Sequence, residues 1–189
     1  MDLVLIILIV IIAIVVLWIV ATYNSLIQVE KQVENSWAQI DVQLKRRADL
    51  IPNLINTVKG YAKFEKSVLT EVTKARTAIM SAKTPKDAAK GENMLSGALK
   101  SIFAVAESYP SLKANENFKA LQEELSSTEN KIAFSRQFYN DMVMKWNTMI
   151  LMFPTNILAN AFNKNKQREF FEVTESEKKN VKVDFSDLS

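Results

Sequence analysis

Few side chains in this sequence have a spacing that could support catalysis. Ser176 and Lys179 lie three residues apart, which is the spacing of some Ser/Lys nucleophile pairs. They fall in a charged tail that offers no apolar pocket to activate the lysine, so we interpret the spacing as coincidence. The chain contains no His and no Cys, which removes the commonest general base and all thiolate chemistry. The sequence therefore predicts that the protein is not an enzyme.

Paired carboxylates are the remaining candidates for metal binding. Glu123 with Glu124, and Glu175 with Glu177, could hold a hard cation only inside a preformed cage of oxygen ligands. Neither pair lies in an Asp/Asn/Gly-rich loop of the calcium-binding type, and no zinc spacing, phosphate loop or dinucleotide fingerprint is present. We interpret both pairs as solvated surface and predict neither a metal nor a cofactor.

One polar cluster is a candidate interaction site, and it comprises Arg46, Arg47, Asp49, Pro52 and Asn53. On a helical wheel Arg47 lies at the edge of an apolar stripe and Asp49 nearly opposite. The structural interpretation is that Arg47 lies along the core and pairs with an acid from another helix, while Asp49 is solvated. The functional interpretation is that the cluster straddles a kink at Pro52 and docks a partner. Arg76 and Glu65 fall near the same stripe and have the same two interpretations.

The elements that position these residues begin with a membrane anchor. Residues Leu3 to Ala21 carry no charged or polar side chain and, as a helix, span about the 30 Å of a bilayer's hydrocarbon core. A cleaved signal peptide is the alternative, but no basic region precedes the stretch and no small-residue cleavage site follows it. Residues 1–22 are therefore predicted to be an uncleaved transmembrane anchor, in contact with lipid over residues 3–21.

Lys and Arg occur only after this span, at Lys31 and then at Lys45, Arg46 and Arg47. The positive-inside rule then predicts a single-pass protein of the cell membrane with its helical domain in the cytoplasm. Trp18 and Tyr23 lie near the carboxyl end of the span, where amphipathic rings prefer the membrane interface.

Composition indicates long helices outside the membrane. Three Gly and four Pro are too few for a turn-rich sheet protein. The 24 basic and 21 acidic residues interleave along the chain, which favours a mixed solvated surface and no nucleic-acid partner. We predict an all-α fold, with an N-terminal transmembrane helix followed by an elongated antiparallel bundle with coiled-coil-like seams over residues 23–163. Residues 164–189 are predicted to be a charged tail with a short extended segment at Val181 to Phe185.

Helical periodicity divides the bundle into segments. One stripe predicts a long amphipathic helix with a kink or break near Pro52, and it consists of Val33, Trp37, Ile40, Leu44, Ala48, Ile51, Ile55, Val58, Ala62 and Leu69. Whether that helix begins at Ser25 or continues from the anchor is left open. Thr84 and Pro85 predict a helix start, and Pro110 predicts a helix end near Tyr109.

Asn115 is a predicted cap for the longest regular stretch, which Pro154 should end. Its heptad-like seam predicts continuous packing, and it consists of Phe118, Leu121, Leu125, Thr128, Ile132, Ser135, Tyr139, Met142, Trp146, Met149 and Phe153. Trp146 is predicted to be core. Phe134 and Phe138 lie off the seam, so they meet either another helix of the same chain or another subunit, and we expect self-association. Residues 157–162 are expected to form a short helical segment.

Several segments resemble the LemA family of bacterial membrane proteins. The most specific is RRADLIPNL, within WAQIDVQLKRRADLIPNL at residues 37–54, and VKGY, VTKAR, FPTN and VDF also resemble the family at residues 58–61, 72–76, 153–156 and 183–185. Phe64 departs from the family, which often has His there. The resemblance implies an N-terminal anchor and a cytoplasmic helical domain, but no agreed biochemical activity.

Two functions are the main hypotheses from the sequence, and a nucleic-acid binder is a third, which salt-dependent retention on DNA would test. The first is a membrane-anchored, non-enzymatic interaction or scaffold protein that forms homo-oligomers and contacts other membrane proteins. The alternative is a membrane-surface enzyme, or enzyme subunit, that uses Lys, Arg and carboxylates instead of His or Cys.

Overall fold

A computed structural model describes residues 3–60 and 66–171, and within these ranges the chain is helical with no strand. The helices are α1 (Leu3–Lys59), α2 (Lys66–Ser81), α3 (Pro85–Glu107), α4 (Pro110–Lys113), α5 (Glu116–Leu151) and α6 (Thr155–Ala161). This confirms the all-α prediction. The residues outside these ranges include Glu65 and Phe64, the Ser176 and Lys179 pair, the Glu175 and Glu177 pair, and the predicted extended segment at residues 181–185.

The described chain forms two compact units. The first unit contains residues 3–44 and 126–170, and the second contains residues 45–60, 66–125 and 171. Helix α1 passes without interruption from the apolar stretch into the domain, so no separate helix begins at Ser25. Helices α1 and α5 each contribute residues to both units.

The core of the first unit lies between α1 and α5. Ring centroids of Trp37 and Tyr139 are 5.7 Å apart, and Trp146 is only 1% exposed, which confirms that it is core. Further along α5 the buried positions become Val143 and Ile150, while the predicted seam residue Phe153 is exposed. The prediction for Phe153 is therefore wrong. Phe153 lies beyond the end of α5 at Leu151, in the turn before α6, so the helical repeat no longer places it on the packed face. Within α5, a pattern that repeats every 3.5 residues drifts around a helix of 3.6 residues per turn, which accounts for the shift to Val143 and Ile150.

Residues 164–170 form a non-helical strap that is held by α5. Tyr139 Oη donates to the Glu169 carbonyl at 2.8 Å, and Trp146 Nε1 donates to the Lys166 carbonyl at 2.9 Å. The Asn147 amide donates to the Arg168 carbonyl at 3.0 Å and accepts from the Arg168 N–H at 2.8 Å. Buried side chains of α5 thus satisfy a backbone segment that has no secondary structure of its own.

In the second unit α2 and α3 pack at close range. Gly91 is buried on α3, and a Cβ there would lie 2.9 Å from the Ile79 nitrogen, so a side chain cannot be accommodated without moving α2. Thr84 caps α3 by accepting from the Asp87 N–H, with Pro85 at the first helical position, and α3 ends at Glu107 before Pro110, as predicted. Asn115 likewise caps α5 by accepting from the Phe118 N–H at 3.0 Å.

One boundary prediction for the first long helix is corrected. Helix α1 remains helical through Pro52, which excludes a break there and leaves the kink as the prediction. It ends instead at Lys59, followed by a turn at Gly60, and α2 begins at Lys66, so the predicted single helix reaching Leu69 is wrong. Gly60 favours the helix end, because glycine costs about 1 kcal/mol relative to alanine inside a helix. This end was not predicted from the sequence because the apolar stripe continues beyond Gly60.

Candidate interaction surfaces

The predicted polar cluster divides between two faces of α1. Arg47 is 1% exposed and lies in the core of the second unit, whereas Arg46, Asp49, Pro52 and Asn53 are exposed. The adjacent arginines therefore have different environments. The five residues do not form one site.

Arg47 makes a buried ion pair with Glu92 of α3. Arg47 Nη1 donates to Glu92 Oε1 and also to the Ser96 hydroxyl at 3.1 Å. Removing two charges from water is costly, so such a pair requires good geometry and additional hydrogen bonds. This arrangement agrees with the structural interpretation of Arg47, because the guanidinium connects α1 to α3 and is enclosed by the core.

Arg76 compensates for the proline in α1. A proline has no N–H, so Pro52 leaves the carbonyl of Ala48 without its normal helical donor. Arg76 Nε, from α2, donates to that carbonyl at 3.0 Å. The missing bond is thus replaced by a bond from another helix, which is a physical reason why α1 continues through Pro52.

A polar groove of about 610 Å³ lies on the exposed side of the cluster. Helices α1 and α5 line it with Leu50, Asn53, Asn56, Thr57, Asn117, Ala120, Leu121 and Glu124. Arg46 Nη2 lies 2.5 Å from Glu124 Oε1, so this surface carboxylate has an ion-pair partner that was not identified from the sequence. The repeated Asn residues on one face of α1 are a signal in the sequence that could have indicated this groove.

A second groove, of about 500 Å³, lies between α1 and α2. It is lined by Ile55, Lys59, Leu69, Thr70, Thr73, Lys74 and Thr77. The hydroxyls of Thr73 and Thr77 donate to carbonyls of their own helix at 2.8 and 2.9 Å. Among residues 3–60 and 66–171, no three acidic side chains come together as a metal-type cluster.

Charged side chains of the first unit connect α1 to the strap. Glu30 accepts from Lys164 at 2.6 Å and from Arg168 at 3.4 Å. On the surface of α1, Lys31 and Glu34 pair at 2.7 Å, and this bond raises the pKa of Lys31 and lowers the pKa of Glu34. Burial raises the pKa of Tyr139, an effect that the nearby Arg168 opposes.

Two apolar patches of the first unit are exposed. Phe134 is 74% and Phe138 45% exposed, and their four-residue spacing puts both rings on one face of α5. The second patch is the α5–α6 corner, which comprises Leu151, Met152, Phe153 and Ile157, each more than half exposed. The sequence predicted the first patch as an oligomer contact and missed the second.

Helix α1 is long and apolar enough to cross a membrane, and none of its apolar window is buried against the rest of the chain. Residues 36–185 match the LemA family. The chain belongs to the LemA family. The LemA match includes the polar cluster, the grooves and both exposed patches, and it begins after the apolar part of α1.

The chain is similar to several proteins from other organisms. Protein LemA of Metamycoplasma hominis is 27% identical over 169 residues, covering 87% of this chain and 74% of the relative. Magnetosome protein MamQ 2 of Paramagnetospirillum magneticum is 24% identical over 163 residues, and magnetosome protein MamQ of Magnetospirillum gryphiswaldense is 22% identical over the same length. These two alignments cover 72% of this chain but only 60% of each MamQ protein.

Proposed function

We propose that this LemA-family chain is a single-pass, membrane-anchored scaffold protein without enzymatic activity, and that its helical domain self-associates. The observation that carries the proposal is the exposed pair Phe134 and Phe138 on α5. Covering an aromatic ring gains about 25 cal/mol per Å² of apolar surface removed from water, and aromatic residues are enriched in protein interfaces.

The anchor supports self-association by raising local concentration. Chains tethered to one bilayer by α1 meet in two dimensions, so a weak contact between α5 faces becomes effective. Other membrane proteins are potential partners for the same reason. The basic residues after the span, Lys31 and Lys45 to Arg47, favour a cytoplasmic location for the helical domain at the cell membrane.

The absence of enzymatic activity is supported by how the candidate polar residues are used. Arg47 is held by Glu92, Arg76 by the Ala48 carbonyl and Arg46 by Glu124. Each of these groups is committed to a contact within the fold. No separate observation favours the membrane-surface enzyme alternative.

The oligomer is tested by native mass spectrometry of the full-length protein in mild detergent. We expect a defined multimer that is reduced by Phe134→Glu combined with Phe138→Glu. The matched control is Val42→Glu combined with Met144→Glu, which places two charges at exposed apolar positions elsewhere in the first unit. A monomeric wild-type protein would contradict the proposal, as would equal loss of the multimer in both double variants. Helical circular dichroism should be unchanged in both.

The anchor has its own test. Residues 1–21 should remain on the mature chain, and alkaline carbonate should not extract the protein from membranes, because moving such an apolar helix into water is very costly. A mature chain beginning near Thr22 would contradict the anchor. A protease added outside intact cells should leave the helical domain uncut if it is cytoplasmic.

A further inference from the structure

The α5–α6 corner belongs to an uncharged part of the chain. From Trp146 to Asn163 there is no charged side chain, and the nearest charges are Lys145 and Lys164. Phe153, at the tip, is 78% exposed. Single exposed apolar residues are ordinary, but a contiguous exposed cluster without charge is typical of a contact surface.

The segment containing this corner contacts the end of the anchor. Phe162, just after α6, packs against Tyr23 with ring centroids 4.8 Å apart. Tyr23 follows the apolar stretch of α1 by two residues, and tyrosine at that position is typical of the lipid headgroup layer. The corner is therefore joined through α6 to the point where α1 leaves the bilayer.

The alignment of α1 with α5 in the first unit places the tip of the corner level with Tyr23. Trp37 packs on Tyr139, and the strap residue Arg168 contacts both Glu30 of α1 and Asn147 of α5. Residue 37 of α1 is therefore level with residue 139 of α5, and residue 30 is near the level of residue 147. Residue numbers fall along α1 as they rise along α5, so the two helices are antiparallel there.

The same alignment can be extended to the tip. Phe153 lies fourteen residues after Tyr139, and Tyr23 lies fourteen residues before Trp37. At 1.5 Å per helical residue, α1 covers about 21 Å from Trp37 back to Tyr23, and α5 covers about 18 Å from Tyr139 to its end at Leu151, two residues before the tip. The tip and Tyr23 therefore lie at similar depth.

From these observations we infer that the α5–α6 corner inserts into the headgroup and upper acyl region of the bilayer beside the anchor. The domain then contacts the membrane twice, once through α1 and once through this corner. Apolar side chains that enter this boundary gain by leaving water, and the polar side chains of α6 can stay hydrated among the headgroups. Lipid is the favoured occupant because Phe162, just after α6, packs on Tyr23, and the apolar window of α1 that precedes Tyr23 is not buried by the rest of the described chain. This inference rests on the membrane anchor of the proposed function.

The test uses site-directed spin labels on the full-length protein in vesicles of phosphatidylcholine and phosphatidylglycerol. The chain has no cysteine, so Phe153→Cys, Met144→Cys and Val10→Cys each give one unique site. Met144 is the matched control, because it is also exposed and lies on α5 about 10 Å before the helix end at Leu151. Val10 reports on the anchor. Collision with oxygen, which concentrates in lipid, is compared with collision with a water-soluble nickel chelate.

We expect the oxygen-to-nickel collision ratio at residue 153 to be several-fold higher than at residue 144 and to approach that at residue 10. Equal ratios at residues 153 and 144, with residue 10 still in lipid, would overturn the second contact and leave the anchor intact. An aqueous ratio at residue 10 would overturn the anchor and this inference together. Protection of residue 153 from both reagents would indicate a protein contact and overturn the assignment to lipid. Circular dichroism confirms that each labelled protein is folded.

Discussion

Arg76 Nε donates a 3.0 Å hydrogen bond to the carbonyl oxygen of Ala48, the group that Pro52 leaves without its helical donor. We expect Arg76→Met to reduce the free energy of unfolding by about 1–2 kcal/mol, because the carbonyl of the buried Ala48 loses the donor that replaces the missing proline N–H. In a Pro52→Ala background, residue 52 regains an N–H for the same carbonyl, so the loss should be clearly smaller. Urea unfolding of the detergent-solubilised chain measures the free energy of unfolding of the four proteins in this double-mutant cycle. Equal losses in both backgrounds would show that Arg76 acts through another contact.

The buried pair of Arg47 and Glu92 gives a second prediction. Arg47→Met should destabilise the protein by about 3–5 kcal/mol, because Glu92 stays in the core without its cation. Replacing both residues, as Arg47→Met with Glu92→Leu, should restore much of that loss. The neighbouring exposed Arg46→Met is the control and should cost less than about 1 kcal/mol. Equal effects at both arginines would place Arg47 outside the core.

Trp146→Ala should lower the free energy of unfolding by about 3–5 kcal/mol, as expected for removing a buried aromatic side chain. The indole also holds the Lys166 carbonyl, so the strap loses a donor. Phe134→Ala, at an exposed ring on the same helix, should change stability by less than about 0.5 kcal/mol in the monomer. A small effect at Trp146, measured by the same unfolding experiment, would contradict its place in the core.

Ionisation of the Tyr139 phenol should contribute to a loss of stability at alkaline pH. Burial raises the pKa of this phenol above its ordinary value near 10, so the folded state favours the neutral form. The stabilisation is complete below the unfolded pKa and is lost as pH rises through the folded pKa. Tyr139→Phe should therefore show a shallower decline in stability between about pH 9 and 11 than the wild type. Parallel declines would show that Tyr139 is not responsible.

Sequence alone predicted the features that depend on local backbone chemistry. Thr84 with Pro85, Pro110 and Asn115 mark helix boundaries because caps and prolines act within one turn. The helical wheel also put Arg47 at the edge of the apolar stripe, from which one of the two interpretations placed it along the core. Its partner Glu92 could not be predicted, because the pairing depends on how α3 packs against α1.

Features that depend on long-range packing were missed or wrong. The drift that moves the buried positions to Val143 and Ile150 accumulates over several turns, and the strap is held by donors about twenty or more residues away in the sequence. The Asn residues on one face of α1 signal one wall of the polar groove, but its other wall, with Asn117 of α5, depends on which helix packs there. The end of α1 at Lys59 was not predicted, because the apolar stripe continues in the sequence beyond Gly60.

Helix α5 holds the strap through the strap's backbone, so the path of the strap does not depend on most of its own side chains. Tyr139 and Trp146 bind only the carbonyls of Glu169 and Lys166, groups that every amino acid possesses. Residue 168 differs, because its N–H donates to Asn147 and proline there would remove a bond. Positions 166 and 169 can therefore change residue type without losing these hydrogen bonds. The strap is a region in which the protein can vary its surface chemistry while the backbone follows one fixed route.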